Sequence, residues 1–197
     1  MTLAAWAALP EDEPGELVDG VLVEEEVPDN LHESVVSWLN FVFRLWLGAR
    51  GFVFGSDAKF AVSRRGGRKP DLTVFLPDRT APPRRGINRD PPDIAVEVIS
   101  PTPRDTRRDR VEKLREYASF GVRFYWLLDP ELRTLEILEL GKDGRYVHAL
   151  DATHGTLRKV PGCDGLVMDL NALWSELDRL APEETPAAPA KRRRRRR

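Results

Sequence analysis

Two carboxylates, Glu97 and Asp71, lie within or at the start of apolar runs of the sequence. Glu97 lies within Asp93–Ile99, a nearly continuous apolar run of the kind that forms a strand covered on both faces. A carboxylate buried in such a strand destabilises the fold by several kcal/mol unless it is paired, protonated or bound to a metal. Asp71 directly follows Pro70 and begins an apolar run that ends at Leu76.

Asp71 and Glu97 are therefore candidate metal ligands. Two strands that each present a carboxylate near their ends can hold a divalent cation through oxygen ligands. Such a cation polarises a phosphodiester and lowers the pKa of an attacking water. Simpler alternatives stay open, because Asp71 could cap a strand or pair with an arginine of the 64–69 cluster. Glu97 could form a structural ion pair with Lys113 or Arg110.

A third candidate, Lys113, lies on a predicted helix. Asp105, Asp109, Lys113 and Tyr117 recur every four residues, so they drift slowly around one helix face. Lys113 is predicted to point from that face toward a neighbouring strand, where an ammonium stabilises charge on a phosphate or orients a water. The alternative is an i, i+4 pair with Asp109, worth about 0.2–0.5 kcal/mol.

The elements that must position these residues follow from turn residues and apolar periodicity. A hairpin is predicted over 16–23 around Asp19–Gly20, and strands are predicted at 52–54, 59–62, 69–76, 93–99 and 123–128. Helices are predicted from Asp29 or Asn30 to Gly48, from Thr102–Pro103 to Phe120, and over 171–180, with a closing hairpin at 134–150. This order predicts an α/β (α+β mixed) fold with a mixed sheet flanked by helices.

Composition predicts one domain over residues 15–180, with an N-terminal extension (1–14) and a disordered Pro/Ala linker and polybasic tail (181–197). Without the seven basic residues 191–197, 24 of the 31 basic residues remain against 32 acidic ones, a charge of −8. No apolar run is long enough to cross a bilayer. The single cysteine, Cys163, fits a cytoplasmic protein and excludes a cysteine-based zinc site.

An ordered series of short motifs resembles the bacterial putative-restriction-endonuclease family, a branch of the PD-(D/E)XK nuclease superfamily. The resemblance covers about residues 15 to 175, and its motifs are Pro70-Asp71, Glu97-Val-Ile-Ser100-Pro101, Asp109-xxx-Lys113-xxx-Tyr117, Gly121-Val122 and Tyr125-Trp126-Leu-Leu-Asp129-Pro130. The resemblance implies a nuclease-like sheet core in which Asp71 and Glu97 bind Mg²⁺ or Mn²⁺.

The chain departs from the simplest superfamily pattern at one position. A lysine is expected two residues after the glutamate, and this chain has Ile99 there. The resemblance implies that the lysine has moved to the following helix, where Lys113 is the matching residue. Glu16 and His32 also match family positions; Glu16 is a candidate further ligand or support for one, and His32 a candidate base.

The sequence is thus interpreted as a metal-dependent endonuclease that hydrolyses DNA, with Asp71, Glu97 and Lys113 as its catalytic residues. The basic loop residues are predicted to contact the DNA backbone: Arg64, Arg65, Arg68, Arg84 and Arg85. A homodimer that cuts two strands is compatible with this interpretation. The alternative is a catalytically inactive nuclease fold that serves as a nucleic-acid-binding or protein-interaction module.

Overall fold

The computed structural model describes residues 1–10, 15–24, 28–100 and 107–181. The first half of the chain contains α1 (Leu3–Ala7), β1 (Glu16–Val18), β2 (Val21–Val23), α2 (Asn30–Leu47), β3 (Phe52–Gly55), β4 (Leu72–Phe75) and β5 (Ile94–Val98). The second half contains a π-helical segment (Arg108–Lys113), α3 (Leu114–Phe120), β6 (Phe124–Asp129), β7 (Thr134–Leu140), β8 (Tyr146–Ala152), β9 (Thr156–Leu157), β10 (Met168–Asp169) and α4 (Leu170–Leu177). No helix in the described ranges has the length and hydropathy of a membrane-spanning segment.

Six strands form one mixed sheet in the order β3-β4-β5-β6-β7-β8. Neighbouring strands run antiparallel, except that β5 and β6 run parallel. A parallel pair needs a crossover connection, and this one contains the π-helical segment and α3. The predicted mixed sheet flanked by helices is confirmed, as are the hairpins β1–β2 and β7–β8.

Local signals explain where several elements begin and end. Asp19 and Gly20 both have positive φ, 49° and 83°, as the tight turn between β1 and β2 requires. The carboxylate of Asp29 accepts the His32 N–H at 2.8 Å and caps α2, as predicted. Gly121 ends α3 with φ 97°.

The two faces of the sheet are buried against different cores. On one face, α2 and α4 pack over side chains that include Val96 and Trp126. On the other face, Ala95 belongs to a second core with Tyr117 and Tyr125. Because side chains alternate along a strand, Glu97 shares the face of Ala95 and points into the second core.

The segment 59–62 does not form the predicted strand. Phe60 instead forms isolated bridges with Arg68 and Asn88, which lie in two different segments, so this prediction is wrong. The predicted helix start at Thr102–Pro103 lies outside the described residues, as do residues 182–197 of the predicted linker and tail.

Residues 1–10, within the predicted N-terminal extension, pack onto the rest of the fold. Trp6 is fully buried, and its indole N–H donates to the Gly15 carbonyl at 3.1 Å. The ring lies so close to Gly67 that a Cβ there would come within 2.3 Å of it. The ammonium of Lys59 lies 5.5 Å from the ring centroid and donates to the Leu9 carbonyl at 2.8 Å.

We expect Trp6→Ala to lower the free energy of unfolding by about 3–5 kcal/mol, because it leaves a large cavity and removes a buried hydrogen bond. Urea titration followed by circular dichroism measures the change. Leu132→Ala is the matched control, since Leu132 is 68% exposed. Equal stability of the two variants would show that the N-terminal segment does not contribute to the folded domain.

Candidate active site

Glu97 is a buried carboxylate with a hydrogen-bond donor on each oxygen. Oε2 accepts from Nζ of Lys113 at 2.8 Å, and Oε1 accepts from the Tyr117 hydroxyl at 2.6 Å. Burial raises the pKa of Glu97 well above its usual range. The Lys113 ammonium acts in the opposite direction, while three nearby carboxylates add to the rise.

Lys113 points into the protein rather than to solvent. It is 1% exposed, and its Nζ lies 3.4 Å from Oδ1 of Asp109 and 3.7 Å from Oε1 of Glu16, in addition to Glu97. The helix therefore places an ammonium against Glu97 of β5. Ile99, directly after β5, occupies the position at which the simplest superfamily pattern has a lysine. Both interpretations of Lys113 agree with its contacts, since it reaches Glu97 and also pairs with Asp109.

Asp71 lies immediately before β4, next to the end of β5. The register pairs Leu72 with Val96, so its continuation by one residue sets Asp71 opposite Glu97. Oδ2 of Asp71 accepts the Val98 N–H at 2.7 Å and lies 3.1 Å from Nε2 of His32. This geometry brings the two predicted metal ligands together on adjacent strands.

His32 and Asp71 shift each other's pKa. Burial raises the pKa of Asp71, but its hydrogen bond to His32 and the charge of His32 outweigh that effect, so the pKa is lowered. Burial lowers the pKa of His32, but the same hydrogen bond and the Asp71 charge outweigh it, so the pKa is raised. The pair is thus an ionic one, with the imidazole as donor.

Glu16 belongs to a buried ion-pair network behind Lys113. Its Oε2 accepts from Arg68 at 2.6 Å, and its Oε1 accepts the Lys69 N–H at 2.8 Å. The other side of the Arg68 guanidinium is bound by both carboxylate oxygens of Glu116, at 2.5 and 2.9 Å. Burial raises the pKa of Glu16, but Lys113 and Arg68 outweigh it and lower the pKa.

This network corrects one prediction. Arg68 was assigned to the DNA backbone, yet it is fully buried. Its guanidinium is neutralised between Glu16 and Glu116, so no charge is free for a phosphate. Arg64, Arg65, Arg84 and Arg85 are exposed, and Arg65 also donates to the Asp19 carbonyl.

Asp109 is the least satisfied acid of the site. It is 3% exposed, and its Oδ1 has no hydrogen-bond partner within the described residues; the nearest cations are Lys113 and the guanidinium of Arg108, 3.6 Å away. Burial raises the pKa of Asp109, against the effect of Lys113 and Arg108. The hydroxyl of Tyr125 donates to the Asp109 carbonyl at 2.9 Å and fixes the π-helical segment over the sheet.

Four acids, the buried Glu16, Glu97 and Asp109 and the half-buried Asp71, form what we call the carboxylate cluster. Lys113 and Arg68 lower the pKa of Glu16, and His32 lowers that of Asp71. At Glu97 and Asp109 the effect of burial exceeds that of the nearby cations, so the pKa of both is raised. Such a pair keeps a proton or attracts a further cation. Oxygen donors on adjacent strands and an orphaned buried carboxylate oxygen fit a hard divalent cation such as Mg²⁺.

A second group of potential ligands lies on β7 and β8: Glu136, His148 and Asp151. Sequence analysis did not single it out. Its ligand atoms lie within 4.8 Å of one another, but Glu136 is already bound to Arg110 at 2.5 Å, and the other two side chains are exposed. Of the two ion-pair partners that the sequence allows for Glu97, the structure shows Lys113, while Arg110 pairs with Glu136.

Sequence analysis did not assign three residues of the site to their observed roles. Arg68 is buried against Glu16 rather than exposed to DNA, Tyr117 donates to Glu97, and Asp109 has a buried oxygen without a hydrogen-bond partner within the described residues. The only sequence signal was the four-residue spacing of Asp109, Lys113 and Tyr117, which matches three side chains on one face. Nothing local in the sequence marks Arg68 as buried.

The sheet topology and the paired carboxylates with a lysine define a nuclease-like α/β domain. A family model named Uma2 and described as "Putative restriction endonuclease" matches residues 2–171. The chain belongs to this family, and the resemblance stated from the sequence is confirmed.

The fold is also similar to a solved structure, a putative nuclease belonging to DUF820 from Anabaena variabilis ATCC 29413. The TM-score is 0.71, with 20% identity, over 90% of this chain and 99% of that one. Likeness at this identity supports the fold. A comparison with curated protein sequences finds no match.

The raised pKa of Glu97 predicts a pH dependence of stability. Because the pKa of this carboxyl is higher in the folded protein than in the unfolded chain, the folded state binds more protons there, and stability falls as pH rises above the ordinary pKa of a glutamate. Glu97→Gln removes this titration, so we expect its unfolding free energy to decline less between pH 5 and about 8. Denaturant titrations in EDTA measure it.

Glu131→Gln is the control, because Glu131 is exposed and its substitution leaves the wild-type pH profile in place. If Glu97→Gln and the wild type run parallel across this range, the proton is held elsewhere in the carboxylate cluster.

Proposed function

We propose that the protein is a metal-dependent endonuclease that hydrolyses DNA phosphodiester bonds, with Asp71 and Glu97 as ligands of Mg²⁺ or Mn²⁺. The observation that carries the proposal is the buried 2.8 Å contact of Lys113 with Glu97, beside Asp71 on the adjacent strand. Membership of a family described as putative restriction endonucleases supports the same activity. A cytoplasmic location and a homodimer stay predictions.

The chain's own residues would prepare the site for reaction. When bound, the cation supplies Lewis acidity and a water of lowered pKa. Two donors on Oδ2 of Asp71, the Val98 N–H and His32, fix the carboxylate, and Oδ1 is the oxygen we assign to the metal. Lys113 supplies the positive charge that stabilises the phosphate as negative charge develops on it.

We assign His32 a positioning role rather than the role of base. Its Nε2 is engaged with Asp71 at 3.1 Å, and its raised pKa favours the protonated ring. A protonated imidazole donates and does not accept, so it orients Asp71. Glu16 is likewise assigned a supporting role, since Arg68 and the Lys69 N–H already occupy its oxygens.

The second candidate is an inactive nuclease-fold module that binds nucleic acid or protein. The observation in its favour is that both oxygens of Glu97 already accept hydrogen bonds, from Lys113 and Tyr117. In that case the ion pair is structural, and the chain binds no divalent ion at Asp71.

Cleavage of plasmid and single-stranded DNA with Mg²⁺ or Mn²⁺ tests the leading proposal. We expect Asp71→Asn and Glu97→Gln each to lower the rate by at least about 10²-fold, the magnitude seen when one catalytic electrostatic contact is removed. Lys113→Met is expected to act as strongly. Asp71→Asn and Glu97→Gln are isosteric and keep the shape of the carboxylate cluster, so circular dichroism should show both variants folded.

Glu131→Gln serves as control, with wild-type cleavage expected. Equal rates of the wild type and Glu97→Gln would remove the catalytic assignment and favour the inactive module.

Metal binding should also release protons. The raised pKa of Glu97 means that its carboxyl holds a proton more tightly than a free carboxyl does, and a metal binds the carboxylate form. We therefore expect Mg²⁺ or Mn²⁺ affinity to rise with pH between about 5 and 8. Calorimetry in two buffers of different ionisation enthalpy measures the protons released, and Asp71→Asn is expected to abolish binding. Wild-type protein that takes up no ion would support the inactive module.

A further inference from the structure

A polar groove of about 590 Å³ lies beside the carboxylate cluster. One wall is α2, with Glu33, Ser37 and Asn40, and the opposite rim is the loop that carries Arg84 and Arg85. Phe54 of β3 contributes an aromatic surface to it. We call this feature the Phe54 groove.

Its two arginines differ from most arginines near the site. Arg84 and Arg85 are exposed, and neither forms an ion pair or a side-chain hydrogen bond among the residues that the structure describes. By contrast, Arg68 is bound by two carboxylates, and Arg44 bonds to the Asn40 side chain and the Val53 carbonyl. Two exposed guanidinium groups on one rim are available to phosphate oxygens.

The aromatic wall continues along the exposed edge of the sheet. Phe52 and Phe54 lie on the same face of β3, with centroids 6.2 Å apart and planes 7° from parallel. Phe54 is held edge-on by Phe75, whereas Phe52 is 43% exposed on an edge strand. Aromatic faces beside a basic rim are the arrangement that binds single strands, because bases stack on the rings while phosphates meet the cations.

The groove adjoins the candidate catalytic centre through two residues. The carboxylate of Glu33 lines the groove and lies 3.6 Å from Nδ1 of His32, and His32 reaches Asp71 at 3.1 Å. A DNA strand whose scissile phosphate sits at Asp71 would therefore lie next to the Glu33 end of the groove.

We propose that the Phe54 groove binds single-stranded DNA next to the scissile phosphate, with bases stacked on Phe54 and Phe52 and the backbone against Arg84 and Arg85. This inference rests on the proposed function, because that function places the scissile phosphate at Asp71. Duplex DNA keeps its bases paired and stacked in its own helix, so it cannot use the aromatic wall. Glu33 and Asp57 also line the groove, and their charges weaken phosphate binding.

Fluorescence anisotropy with the full chain in EDTA, on a labelled oligothymidylate and a duplex of equal length, tests the proposal without cleavage. We expect tighter binding of the single strand. Arg84→Glu combined with Arg85→Glu should weaken it about tenfold or more, and Phe52→Ala should weaken the single strand several-fold but leave the duplex unchanged. Glu33→Gln should strengthen binding.

The matched control is Arg145→Glu combined with Arg158→Glu. Both residues are exposed and lie outside the groove, and the double change alters the net charge by the same amount, so any binding by the polybasic segment 191–197 is affected equally. The proposal is overturned if the two double variants weaken binding alike, or if Phe52→Ala affects single strand and duplex equally.

Cleavage assays keep this result separate from the proposed function. Groove-dependent binding of single strands by a protein that cuts no DNA would leave the groove assignment standing and remove the nuclease assignment. Cleavage that depends on Glu97 in a protein whose Arg84 and Arg85 make no difference to binding would do the reverse.

Discussion

The arrangement of the site depends on one buried contact, between the ammonium of Lys113 and the carboxylate of Glu97. When Glu97 is ionised, the attraction at 2.8 Å and an effective dielectric constant of about 20 amounts to about 6 kcal/mol. Removing both ions from water costs several kcal/mol per ion, which offsets most of that gain. The pair therefore adds little net stability, but the loss of one partner leaves a buried charge, at a cost of about 3–5 kcal/mol.

The Lys113–Glu97 pair therefore fixes the position of the helix on β5 more than it stabilises the fold. The π-helical segment ends at Lys113, and a hydrogen bond from Tyr125 on β6 holds it at the Asp109 carbonyl. Tyr117, one turn further, donates to the same carboxylate that binds Lys113. The helix thus contacts β5 through two polar interactions, from Lys113 and Tyr117, with the Glu97 carboxylate in an otherwise apolar core. Sliding the helix by one residue would break both. Wide helical turns of this type are frequent at functional sites.

How far the sequence can predict such a site depends on how local its signals are. That Glu97 needs a partner could be predicted because its type conflicts with the apolar run around it, and that Lys113 points toward a strand because of its spacing along the helix. Arg68 could not, because its partners Glu16 and Glu116 lie 52 and 48 residues away in the chain. A basic residue in a Gly-rich turn is ordinarily solvated, and only the folded chain shows that two carboxylates enclose it.

The same reasoning limits prediction of the fold. Hairpin turns, caps and the mixed sheet follow from Gly, Asp and apolar periodicity, all of which act over a few residues. The segment 59–62 has the composition of a strand, yet the N–H groups of Phe60 and Ala61 are bound by carbonyls of Arg68 and Asn88, in separate segments. The segment does not form a strand because its hydrogen-bond partners lie in two distant segments, which a local sequence pattern does not reveal.

The Lys113–Glu97 pair also constrains where a cation can bind. Each carboxylate oxygen can accept more than one partner, so Lys113 and Tyr117 need not leave Glu97. Repulsion from the ammonium nevertheless disfavours a divalent ion between Lys113 and Glu97, and Asp71 offers the compensating charge on the neighbouring strand. A site with two protein carboxylates and the remaining positions filled by water matches the preference of Mg²⁺, which dehydrates reluctantly and keeps several waters. In the proposed function, Asp71 and Glu97 would hold such an ion, which would supply a water of lowered pKa as the nucleophile.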